Sequence, residues 1–123
     1  MKDKNIITFW DSVYCQDFMV VLTRSHKKFC EIAKKETGFA PENCNEQVSG
    51  EFHGLTNKHC SLALIWSPDK GLNLLHEVFH ACAWVLRNRE IFLTEETEET
   101  YAYYYTYIMR MINSLTKNKG GSK

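Results

Sequence analysis

Two histidines and a glutamate, in the order His76-Glu77-Val78-Phe79-His80, are the residues of this chain best suited to chemistry. Residues four apart lie on one face of a helix, so both imidazoles can reach one metal ion. Glu77, beside the first histidine, is placed to take a proton from a metal-bound water. Such equipment belongs to a zinc-dependent hydrolase, with His76 and His80 as ligands, Glu77 as the catalytic general base and one Zn2+ per chain.

The surrounding pattern predicts the helix this chemistry needs. Apolar residues at 72, 75, 79, 82 and 86 form an i, i+3, i+4 stripe, and Val78, Ala81 and Val85 add a second apolar side. Leu62-Ala63-Leu64-Ile65-Trp66, within a strand over Cys60–Trp66, leads into it, and Ser67-Pro68-Asp69 breaks that strand. Upstream, Asn5–Trp10 and Phe18–Leu22 predict strands separated by a loop or bulged extension. Thr23 or Ser25 caps a helix running to Thr37, ended by Gly38. Residues 40–45 read as a connection. Val48–His53 predicts a further strand, with a hairpin turn over residues 54–58. Downstream, Thr94 caps a last helix over residues 95–115, whose inward stripe is Tyr101, Tyr104, Tyr105, Ile108, Met111, Ile112 and Leu115. The expected fold is α+β: a small zincin-like domain over residues 1–116, with a short, mostly antiparallel sheet of about four strands and three helices. Residues 117–123 are expected to be a disordered tail.

A catalytic zinc wants three protein ligands and an open fourth position. No third histidine follows at the H-E-x-x-H-x-x-G-x-x-H spacing, since position 86 is Leu. A glutamate from a second helix is the other standard solution, and Glu95, Glu96, Glu98 and Glu99 head the last helix. Most of these acids are expected to be solvated and favoured by the helix N-terminus. A ligand must share a face with the buried aromatic stripe, which selects Glu99 first and Glu98 second.

The motif followed by a glutamate on a separate helix resembles the gluzincin group of zinc metallopeptidases. More closely, Leu64-Ile65-Trp66-Ser67-Pro68, the H-E-x-F-H-A run from His76 to Ala81 and the E-E-x-x-A-Y segment from Glu98 to Tyr103 resemble small bacteriophage-encoded proteins of the minigluzincin type. The resemblance covers residues 6–115, with the zinc motif its specific part. It implies a two-histidine, one-glutamate zinc site and peptide-bond hydrolysis, on a peptide or protein substrate of the phage or its host. Larger gluzincins also supply a Tyr or His to hold the oxyanion. Tyr103, Tyr101 and Tyr104 are the candidates here, against the more ordinary use of tyrosines at helical spacing as packing. This chain has Thr100 after Glu99, where the family commonly has Ala.

Composition narrows the alternatives. The 123 residues suffice for one domain, and 44% hydrophobic with 13% aromatic content supports a packed core. Fifteen basic residues balance fifteen acidic ones, which argues against nucleic acid or an anionic membrane as the main partner. Cys15, Cys30, Cys44, Cys60 and Cys82 have no C-x-x-C spacing and read as reduced, mostly buried thiols of a cytoplasmic protein, in the host cytoplasm if phage-encoded. No apolar run approaches the roughly 18 to 20 residues of a membrane span, and the start has no signal-peptide pattern. His53 and His59 with Cys60 match no metal-ligand spacing, His26 is expected at the surface among lysines, and Cys82 in the core. A competing function is a phage-encoded binding or inhibitor protein acting on a host protein, its zinc structural or vestigial.

Overall fold

The structure is a computed structural model that describes residues 6–41 and 49–120. Seven elements follow in order: β1 (Ile6–Asp11), β2 (Gln16–Leu22), α1 (His26–Thr37), β3 (Glu51–Thr56), β4 (Ser61–Ser67), α2 (Leu72–Asn88) and α3 (Glu98–Gly120). The strands form one sheet in the order β1-β2-β4-β3. The β1–β2 and β3–β4 pairs are antiparallel, and the central β2–β4 pair is parallel. The expected α+β class, with a mostly antiparallel four-stranded sheet and three helices, is the one observed.

Alternation along the strands sends side chains to two cores, one on each face of the sheet. Ile7, Phe18, Val20, Ala63 and Ile65 meet Leu74, Val78, Ala81 and Val85 of α2 and Ile108 and Ile112 of α3. On the opposite face Met19, Val21, Leu64 and Trp66 pack on Phe29, Ile32 and Ala33 of α1. Ser25 caps α1, its hydroxyl accepting from the Lys28 amide at 3.1 Å, and Gly38 ends the helix with φ of 79°, a conformation that favours glycine.

Three boundaries differ from expectation for local reasons. The second strand starts at Gln16 because the fully buried Gln16 side chain bonds the Ser61 carbonyl at 3.0 Å, holding the strand end to β4. The hairpin turn falls at Asn57–Cys60, where the Asn57 side chain accepts from the His59 and Cys60 amides at 2.8 and 2.9 Å. Gly54 is therefore a strand residue. Third, α3 begins at Glu98 after a turn in which the Thr94 hydroxyl accepts from the Thr97 amide, and it continues through residues 117–120 expected in the tail. Cys44 and Val48, and most of the expected connection at 40–45, lie outside the described residues.

Two further expectations are corrected. His26 is buried, 7% exposed, because its ring packs on Trp66 with centroids 4.9 Å apart. Of the cysteines, Cys15 and Cys60 are free and exposed, Cys82 is free and buried, as expected of a core residue, and Cys30 is disulfide-bonded. Among the described residues no helix is long and apolar enough to cross a membrane.

Strand β3, at one edge of the sheet, is held close to α2 through a glycine. A Cβ added at Gly54 would stand 2.3 Å from the Trp84 ring of α2, so the bare backbone is what lets α2 approach β3. Gly54→Ala is expected to cost about 1–3 kcal/mol in urea unfolding, as overpacking does. Combined with Trp84→Ala it should cost less than the two single losses summed, because the clash is shared.

Candidate metal centre

Helix α2 presents the motif on two of its sides. Leu74, Val78 and Ala81 anchor it on the sheet, which leaves His76 and His80 exposed and turns Glu77 inward, only 9% exposed. The two imidazoles converge: their Nε2 atoms are 3.1 Å apart and their ring centroids 4.6 Å, with planes at 80°. Two nitrogens bound to one tetrahedral zinc at about 2.0–2.1 Å would be separated by about 3.3 Å. The pair thus fits two corners of such a site, and without a cation one ring must donate its Nε2 proton to the other.

Glu77 lies against the start of β3. A Cβ at Gly50 would meet Glu77 Cγ at 2.9 Å and Oε2 at 3.2 Å, so the carboxylate occupies space that any other residue at position 50 would contest. Burial raises the Glu77 pKa above its ordinary value. His76 and His80 oppose that rise, Glu51 adds to it and His53 opposes it. A carboxylate with a raised pKa beside a histidine pair is suited to accept and return a proton.

Beneath the same edge, Glu51 lies between two histidines. Its Oε1 is 2.8 Å from His53 Nε2 in a hydrogen bond, and its Oε2 is 2.8 Å from His26 Nε2. The latter approach is off the line a hydrogen bond requires, and neither His26 nitrogen has a hydrogen-bond partner among the described residues. It is a close polar contact without the geometry of a directional bond.

The third ligand is not assembled with the pair. Among the described residues, no group of three or more His, Cys, Asp and Glu side chains is placed to hold a metal ion. Glu98 and Glu99 are both exposed in the first turn of α3. Helical spacing nevertheless separates them. Glu98 shares the side of Tyr105, whose hydroxyl donates to the Leu75 carbonyl at 3.1 Å and whose ring lies 6.0 Å from that of Phe79. Glu99 shares the side of Tyr103, which lies in a groove with Val13 and Tyr14. Glu95 and Glu96 lie in the exposed turn before the helix.

The tyrosines divide likewise. The Tyr101 hydroxyl is committed to the Ile91 carbonyl at 2.7 Å and that of Tyr104 to Asp11 Oδ2 at 2.6 Å. Burial and the bond to Asp11 raise the Tyr104 pKa. Tyr103 is 72% exposed. Tyr105 is the one whose hydroxyl reaches α2 next to His76, a placement the sequence stripe predicted only as packing. Gly50 and Glu51 were not singled out in the sequence. A glycine inside the predicted strand Val48–His53 is the available signal for close backbone approach. His59 is exposed and bonds the Asn57 side chain through its amide. No family model, curated protein or solved structure matches the chain.

Proposed function

We propose that this protein is a zinc-dependent metallopeptidase. The observation that carries the proposal is the convergence of His76 and His80 Nε2 beside an inward-turned Glu77. The two histidines are the metal's holders, and Glu98 is the carboxylate best placed by helical side to complete the set, with Glu99 the alternative. When bound, the metal supplies a Lewis acid that acidifies water and polarises a carbonyl. Glu77 takes a proton from the attacking water and returns it to the leaving amine, a role its raised pKa supports.

Among the described residues β3 is the terminal strand of the sheet, with β4 its neighbour, and Gly50, just before its first residue, lies beside Glu77. An extended peptide added beside it at that edge would gain main-chain hydrogen bonds while passing the carboxylate. Backbone recognition of this kind suits an unfolded protein substrate. Incubation of tag-free protein with unfolded casein should give fragments, with cleavage abolished by a zinc chelator and restored by added Zn2+. Absence of fragments with zinc bound would sink the peptidase reading.

A second reading is favoured by the lack of an assembled three-residue metal group among the described residues. On it, the protein binds a partner and any zinc is structural or vestigial. A biological effect untouched by Glu77→Gln would favour this reading.

A further inference from the structure

An exposed, free cysteine stands immediately before each of the two central strands, Cys15 before β2 and Cys60 before β4. The parallel β2–β4 pairing matches residues 45 apart, from Asp17 with Leu62 to Leu22 with Ser67, and the side-chain bond from Gln16 to Ser61 spans the same 45. Cys15 and Cys60 are also 45 apart (60 − 15 = 45), so that register carries them to facing positions at the end of the seam. We propose that Cys15 and Cys60 form a reversible disulfide that staples β2 to β4 under oxidising conditions.

The register is held right up to the pair. The Gln16 side-chain amide donates to the Ser61 carbonyl at 3.0 Å and to Ser61 Oγ at 3.2 Å, so the residues next to the two cysteines are in contact. Facing residues of neighbouring strands stand about 4.8 Å apart, within the roughly 4.4–6.8 Å between Cα atoms that a disulfide spans. Both backbones are also fixed. Arg89 donates to the Tyr14 and Cys15 carbonyls at 3.1 and 3.3 Å. The Cys60 carbonyl accepts from the Asn57 amide at 3.0 Å, and the Cys60 amide donates to the Asn57 side chain at 2.9 Å. Cys15 has φ of 57°, a left-handed conformation for which glycine or asparagine is the ordinary choice, so the turn itself does not call for cysteine.

The topology gives such a bond a use. The chain leaves β2 at Leu22 and enters α1, and thus crosses between the two hairpins at the opposite end of the seam. At the Cys15 end β2 and β4 meet through hydrogen bonds, and a Cys15–Cys60 bond would close that end covalently.

Thiol chemistry selects the same pair. Cys82 is free but buried, and burial pushes its thiol pKa up, which withholds the reactive thiolate. Cys30 is already disulfide-bonded, so conditions that keep that bond permit a second. The oxidant is a small-molecule disulfide such as oxidised glutathione. One cysteine thiolate attacks a glutathione sulfur, forming a mixed disulfide and expelling a glutathione thiolate. The other cysteine thiolate then attacks the protein sulfur of that mixed disulfide and expels the second glutathione. Two electrons pass from the cysteines to the glutathione disulfide, and the two thiol protons end on the released glutathiones.

Peptide mapping tests this directly. Trypsin cuts after Lys4, Arg24, Lys58 and Lys70, which places the two cysteines on separate peptides, 5–24 and 59–70. After the full chain is treated with oxidised glutathione and quenched in acid, mass spectrometry should find these peptides joined, lighter than their sum by two hydrogen atoms and free of glutathione. Cys15→Ser should instead hold glutathione on Cys60, and Cys60→Ser on Cys15, because neither mixed disulfide can be resolved. The oxidised parent should unfold at higher urea than the same protein before oxidation. The proposal is overturned if the parent keeps glutathione on both cysteines, if the joined peptides come only from covalent dimers, or if oxidation does not raise the urea midpoint. None of these readouts requires zinc or peptidase activity, so failure here and failure of the metal site are told apart.

Discussion

Glu77→Gln is expected to keep the metal and lose the reaction. Removing a general base from a site whose ligands are intact should lower kcat by about 10²–10⁴-fold, while KM and zinc content change little. The same substitution has a second consequence in metal-free protein. Glu77 has its carboxyl pKa raised above the ordinary 4.5, chiefly by burial. Below 4.5 the carboxyl is protonated in both folded and unfolded chains and costs nothing. As pH rises above that value the unfolded chain releases its proton first, so folded stability falls until the raised pKa is passed, then levels. The Gln variant has no such decline. Its melting temperature should exceed that of the parent at neutral pH, with the gap closing toward pH 4.5. A parent and variant that melt together across that range would show that the buried carboxyl carries no such cost.

His80→Ala should remove the metal itself. It deletes one of the two nitrogens that stand 3.1 Å apart, and a lone imidazole on an exposed helix face holds zinc weakly. Zinc affinity should fall by more than the roughly 10–100-fold typical of losing an outer-shell partner. Glu98→Gln and Glu99→Gln then locate the third ligand. Because Glu98 shares the helix side of Tyr105 and Glu99 that of Tyr103, the first substitution should weaken zinc binding and the second should not. Competitive titration against a chromophoric chelator measures all three variants, and equal losses from both glutamates would contradict the assignment by side.

Local pattern made much of this molecule readable in advance. The apolar stripe and the breaker Ser67-Pro68-Asp69 predict a helix that the structure starts at Leu72. Ser25 and Gly38 bound α1 because a hydroxyl cap and a left-handed glycine are local devices. What escaped was set by distant partners. Gly54 has hairpin composition, yet it sits in β3 paired with Ala63, and it is glycine because Trp84, thirty residues on, lies where a Cβ would be. His26 stands among lysines, but its position at the start of α1 turns it onto Trp66 and beside Glu51. Gly50 acquires meaning only when α2 brings Glu77 against it. Of the candidate site, the histidine pair and Glu77 were legible because a single helix holds all three. Which side of α3 faces α2 was not, because it depends on how two helices cross.

The proposed chemistry stands or falls with a metal ion on His76 and His80. Elemental analysis of protein purified without a histidine tag, dialysed against buffer holding trace Zn2+, decides whether they bind one. Zinc near one atom per chain in the parent and near none in His80→Ala is the predicted result. A parent that retains no zinc, or a His80→Ala variant that retains as much as the parent, would contradict it.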